Sequence, residues 1–135
     1  MVFNVFVYGT LRKGEKYHHY LKTAKRLEEN CWTYGKLYDT GCGYPAMIID
    51  RVQKVVGEVY EVDGPTLKAL DQLEGYNQTG EEERYDRIIQ TIYTEKGSIE
   101  AFVYVMKEGQ VMRERFILDG DWVTYRKQKT SGKYV

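Results

Sequence analysis

The chain is 135 residues long, 42% hydrophobic and 14% aromatic, and its 20 basic residues balance 20 acidic ones. That length makes one domain with enough interior to stand without disulfides or a structural metal. A formal charge of zero removes the simplest argument for nucleic-acid binding. Two cysteines, Cys31 and Cys42, are too few for a secreted disulfide scaffold, and no Cys/His cluster has zinc-site spacing. The opening MVFNVFVYGTLRKG lacks a basic n-region and a small-residue cleavage site, and no apolar run is long enough to span a bilayer. A cytoplasmic protein with no metal and no membrane partner is expected. Thirteen Tyr against four Phe point to an interior or cleft that uses both aromatic bulk and hydroxyl groups.

Val2 to Tyr8 is β-branched and aromatic and ends at Gly9, which predicts a buried strand and a sharp turn, with a loop over Gly9 to Gly14. Tyr17 to Leu21 suits a short helix, and Trp32 to Tyr38 alternates like a half-buried strand. Gly41 and Gly43 surround a second turn, closed by Tyr44-Pro45. Val55 to Val62 is the next strand. Asp63-Gly64-Pro65 then combines an N-cap residue with a proline fitted to a first helical turn. Leu67, Leu70 and Leu73 give that helix a narrow apolar stripe, and Gly75 ends it near Glu74. Asn77-Gln78-Thr79 has the form of a glycosylation sequon and reads as a turn in a chain without a secretory signal. Tyr85 to Tyr93 and Ile99 to Val105 are β-type runs joined by the hairpin signal Glu95-Lys96-Gly97-Ser98.

These elements predict an α+β domain over residues 1–125, built on a small, mixed, strongly bent sheet or barrel with a few short helices. Periodicity does not decide whether the sheet closes. From Arg126 onward, Lys127, Lys129 and Lys133 make a basic tail expected to fray, with a phosphate-binding arm as the functional alternative.

Two features bear on chemistry. The first is the junction Tyr8-Gly9-Thr10-Leu11-Arg12 with Lys13-Gly14. It is not a Walker loop, because Gly14 is followed by Glu15 and Lys16, and a carboxylate there repels phosphate. A turn leaving a buried strand either serves only to reverse the chain or aims successive N–H groups into a cleft as a nest for a carboxylate or oxyanion. The second feature is Glu74, one turn after Asp71 at the end of its helix. The helix dipole, the like charge and burial all act to raise its pKa toward that of a neutral-pH proton carrier. The plainer reading is a solvated glutamate. His18 and His19 read as solvated or capping groups, and neither cysteine has a base partner nearby. Alternation puts Tyr85 and Arg87 on one strand face, as a substrate-orienting phenol and a carboxylate partner, or as an ordinary cross-strand ladder. Tyr93 and Tyr104 face the same two readings.

The segments Val5 to Gly14, Gly43-Tyr44-Pro45-Ala46, Gly57-Glu58-Val59-Tyr60, Leu70 to Tyr76, Tyr85-Asp86-Arg87 and Gly120-Asp121-Trp122, in this order, resemble the γ-glutamylcyclotransferase-like family. Thr10 stands where some members have Ser. The resemblance implies a small barrel-like α+β fold with a pocket between the first loop and the helix end. Glu74 maps onto the family's catalytic acid/base, and Tyr8, Gly9, Thr10 and Leu11 onto its substrate-binding loop; Tyr44 and Tyr85 are further substrate-binding candidates. The implied reaction needs no cofactor: the α-amino group of a γ-glutamyl unit attacks its own γ-carbonyl and releases 5-oxoproline and a free amine. The implied partner is a small γ-glutamyl substrate, with the loop Gln78 to Arg84 shaping the acceptor side and Glu81-Glu82-Glu83 either favouring a cationic amine or simply solvated. The alternative is a non-catalytic metabolite-binding or interaction domain of the same fold. Nucleic-acid binding through the basic tail is the remote third reading.

Overall fold

The computed structural model describes residues 1–76 and 84–130. Its first strand, β1 (Val2–Val7), is covered on both faces over its second half, Val5 to Val7. Phe6 enters one buried cluster, and Val5 and Val7 enter another. This is why the sequence reads there as a continuous run rather than an alternation.

β1 lies antiparallel to β5 (Lys54–Asp63), which pairs on its other edge with β2 (Lys25–Tyr34). β2 shifts register twice, between Arg26 and Glu28 and between Glu28 and Cys31, and such bulges bend a strand. β2 also pairs with β6 (Asp86–Thr94), and β6 with β7 (Gly97–Val105) in a hairpin closed at Thr94 and Gly97. β7 then returns parallel to β1, with Val5 opposite Phe102, and the five strands form a closed barrel in the order β1-β5-β2-β6-β7. Phe6, Cys31, Val59, Ile92 and Val103 fill it, one from each strand.

Outside the barrel, α1 (Gly64–Glu74) packs Leu67 and Leu70 with Val5, Val7 and Val62. Its ends follow the predicted chemistry. Asp63 caps the start, accepting from the Thr66 N–H at 2.8 Å with Pro65 in the first turn. Gly75, at φ 70°, ends the helix, and the Tyr76 N–H returns to the Asp71 carbonyl at 2.9 Å.

Three differences from the sequence reading matter. The strand predicted over Trp32–Tyr38 is divided at Gly35, where the Met47 side chain packs against the backbone so closely that a Cβ would lie 2.8 Å from its methyl carbon. Beyond it, β3 (Lys36–Asp39) joins β4 (Pro45–Ile48) and β8 (Phe116–Ile117) in a second sheet of order β4-β3-β8. β4 is buried along its whole length, so it shows no alternation for a pattern to find. Third, the basic segment expected to fray from Arg126 is helical as far as Thr130, in α2 (Trp122–Thr130). Residues 131–135 lie outside the described residues. No helix among the described residues is long and apolar enough to cross a membrane.

Candidate active site

The pocket forms where the chain leaves β1. The Tyr8 hydroxyl donates to the Tyr104 carbonyl at 2.6 Å and accepts from the Met47 N–H at 3.2 Å, which ties the end of β1 to β7 and β4. Gly9 comes next and lies against the Pro45 ring, where a Cβ would be 2.6 and 2.7 Å from ring carbons. Its role is therefore close approach as well as turning, since it lets the Tyr44-Pro45 turn meet the first loop.

The loop is wound by its carbonyls. Gly9 O accepts from Arg12 N at 3.0 Å, Thr10 O from Tyr17 N at 2.8 Å and Arg12 O from Glu15 N at 3.0 Å. Among the described residues, no acceptor engages the N–H groups of Gly9, Thr10 and Leu11. All three residues line the pocket. Successive unpaired amides at a cavity wall make a donor set for a carboxylate or oxyanion.

The end of α1 brings Glu74 to the same pocket. Among the described residues nothing donates a hydrogen bond to its carboxyl group. Burial raises its pKa to about 7, with the Arg84 guanidinium acting in the opposite direction. Asp71, expected to contribute by like-charge repulsion, is not part of that effect. One of its oxygens accepts from Arg87 Nη1 at 2.7 Å and the other from the Tyr104 hydroxyl at 2.7 Å. The predicted pairing of Arg87 with a carboxylate is thus present, and that carboxylate is Asp71.

Tyr85 and Tyr44 complete the wall. The Tyr85 hydroxyl donates to the Pro45 carbonyl at 2.7 Å, its ring lies 6.4 Å from that of Tyr44, and the Arg84 guanidinium stands over both rings at 5.8 and 5.5 Å. All the predicted site residues, from the Tyr8–Leu11 segment to Tyr44, Glu74 and Tyr85, therefore share one pocket. Within it, Tyr8 and Tyr85 have their hydroxyls bonded to backbone and present ring surface. Burial pushes the pKa of both phenols upward, so they stay neutral.

Arg84, the last residue of the loop expected to shape the acceptor side, lines the pocket, and so does Tyr17, which the sequence did not single out. The surplus of tyrosine signals a cleft, but not which tyrosines enter it. His18 lies outside the pocket lining, with Nδ1 3.0 Å from the Leu11 carbonyl and its ring 5.7 Å from that of Tyr60, so it supports the loop from behind. The Asn77 sequon and the run Glu81–Glu83 lie outside the described residues.

A family model described as gamma-glutamyl cyclotransferase, AIG2-like, matches residues 5–124. The chain belongs to this family. It is 41% identical over 130 residues, 96% of this chain and 81% of the relative, to the gamma-L-glutamyl-butirosin B gamma-glutamyl cyclotransferase of Niallia circulans. The crystal structure of YkqA from Bacillus subtilis matches with a TM-score of 0.76 at 31% identity, covering 97% of this chain but 43% of that longer one. A mouse AIG2-like protein shares the fold, with a TM-score of 0.71 at 21% identity over 90% of this chain and 88% of its own. These names indicate γ-glutamylcyclotransferase activity for the family.

Proposed function

We propose that the protein cyclises γ-glutamyl conjugates, with Glu74 as general acid/base. The observation that carries this reading is the juxtaposition in one pocket of a carboxyl group whose pKa burial raises to about 7 and three backbone N–H groups, none of which has a hydrogen-bond partner among the described residues. In the reaction, ionised Glu74 takes a proton from the α-ammonium group of the glutamyl unit. The freed amine attacks the γ-carbonyl carbon, and the carbonyl electrons move onto its oxygen. Collapse of the tetrahedral intermediate breaks the bond to the leaving nitrogen, which receives the proton from Glu74, while the second ammonium proton follows to give 5-oxoproline and a protonated amine. Loop donors facing the reacting end favour the developing oxyanion. A pocket that holds the glutamyl chain coiled adds orientation, because the nucleophile and the carbonyl belong to one flexible molecule.

The relative named for γ-L-glutamyl-butirosin B supports amine conjugates as the first substrates to try. The test is mass-spectrometric detection of 5-oxoproline from a panel of γ-glutamyl amines, γ-glutamyl amino acids and glutathione. Continuous release from at least one γ-glutamyl amine is expected. Stoichiometric binding with no new product would instead favour a binding domain.

A further inference from the structure

The loop that supplies the N–H donors is gripped at two points by a single distant element. At Arg12, Nη1 donates to Asp121 Oδ1 at 3.0 Å while Nε donates to Glu58 Oε2 at 2.8 Å. Glu58 is a β5 residue only 5% exposed, and its other oxygen accepts from the Lys13 N–H at 2.9 Å and the Tyr60 hydroxyl at 2.8 Å. Asp121 is also the residue that starts α2, accepting from the Thr124 N–H at 3.2 Å and its hydroxyl at 3.0 Å. One turn along, Arg126 forks onto Glu15, with Nε to Oε1 at 2.7 Å and Nη2 to Oε2 at 2.8 Å. The Glu15 side chain is 4% exposed, so this planar pair is shielded from water on the carboxylate side.

α2 is itself anchored. Trp122 is buried in the barrel-side core, and the Tyr125 hydroxyl and Lys129 ammonium donate to Asp39 Oδ2 at 2.8 and 3.3 Å. Two of the cations that suggested a phosphate-binding arm, Arg126 and Lys129, are thus engaged with carboxylates of the protein's own loop and second sheet.

We infer that α2 is part of the active-site scaffold. By holding Arg12 and Glu15 it fixes the curvature of the loop between them and the preceding Gly9–Leu11 amides, and Arg126, Glu15, Arg12 and Asp121 act as positioning residues. This rests on the reading that those amides receive the γ-glutamyl donor. A bidentate pair between a helix and a loop sets both distance and angle, whereas a lysine in its place supplies charge without the fork. A loop of this kind, displaced by about 1 Å, loses productive geometry for a chemical step while the barrel beneath it stands unchanged.

The test compares the full-length wild type with Arg126→Met, Arg126→Lys and Glu15→Gln. Three readouts are needed: steady-state 5-oxoproline release, hydrogen exchange of the loop amides, and thermal unfolding. The expected result is a loss of roughly tenfold in kcat/KM for Arg126→Met, partial recovery in Arg126→Lys, faster exchange confined to residues 9–15, and an unfolding midpoint within a few degrees of wild type. Unchanged loop exchange in Arg126→Met would overturn the inference, as would faster exchange with unaltered kinetics. Wild type inactive on every γ-glutamyl substrate would instead overturn the reaction, and the exchange data would then decide the clamp alone.

Discussion

Arg87 Nη1 stands 2.7 Å from Asp71 Oδ2, and this pair separates the two acids at the end of α1. Both Asp71 oxygens are occupied by Arg87 and Tyr104, leaving Glu74 as the acid that faces the pocket. Replacing Asp71 by Asn removes the charge from a part-buried pair and leaves Arg87 uncompensated. The expected cost is about 2 kcal/mol, read from urea unfolding. The acid limb of the pH–rate profile stays where it is. A limb that moves with Asp71→Asn would mean that Asp71, not Glu74, reports in the profile.

Because burial raises the Glu74 pKa to about 7, kcat/KM is expected to rise with pH through neutrality as the carboxylate forms. Arg84 opposes that shift by stabilising the charged form. Arg84→Ala therefore moves the acid limb to higher pH. A limb at the ordinary carboxylate position near 4.5, or one unmoved by Arg84→Ala, would contradict the assignment.

The same group links stability to pH. Its folded pKa lies above its ordinary value of 4.5, so the folded state binds more protons than the unfolded state between about pH 4.5 and 7. The stability contributed by the protonated group is complete below 4.5 and is lost as pH rises through 7. Glu74→Gln removes this dependence and is expected to exceed wild type by up to about 3 kcal/mol above pH 7, with the two converging below pH 4.5. Denaturant midpoints at pH 4 and 8 check it; a difference of equal size at both would show that ionisation is not responsible.

Gly9 meets Pro45 without room for a methyl group. Gly9→Ala is expected to destabilise by about 1–3 kcal/mol and to lower turnover, because the loop must back away from the Tyr44-Pro45 turn. Adding Pro45→Ala gives the new methyl space, so the double variant recovers part of both losses. Strict additivity of the two single variants would argue that the contact carries no such coupling.

These residues also mark how far the sequence could be read. The ends of α1 were legible because Asp63, Pro65 and Gly75 act within a few residues of their targets. The parallel pairing of Val5 with Phe102 that closes the barrel has no local signal, and neither does the second sheet, whose β3 follows Gly35, where the backbone lies against the Met47 side chain. α2 was hidden for the same reason: its charges look solvated until Glu15 and Asp39 are brought beside them by the fold. In the site, Glu74 and the first loop stood out through their resemblance to a family. The hydroxyl partners of Tyr8 and Tyr85 were invisible, because Tyr104 and Pro45 lie far away along the chain. The raised pKa of Glu74 was anticipated with burial as one of three causes; the neighbouring acid is not one that operates.

The most direct test of the central claim is single-turnover formation of 5-oxoproline from a γ-glutamyl amine by wild type and Glu74→Gln, with ligand binding measured on the same samples. The variant is expected to fold, to bind the γ-glutamyl amine with affinity similar to wild type, and to lose at least roughly a hundredfold in the rate of cyclisation, the contribution typical of a positioned acid/base. A folded Glu74→Gln protein that cyclises the substrate at the wild-type rate would contradict that claim.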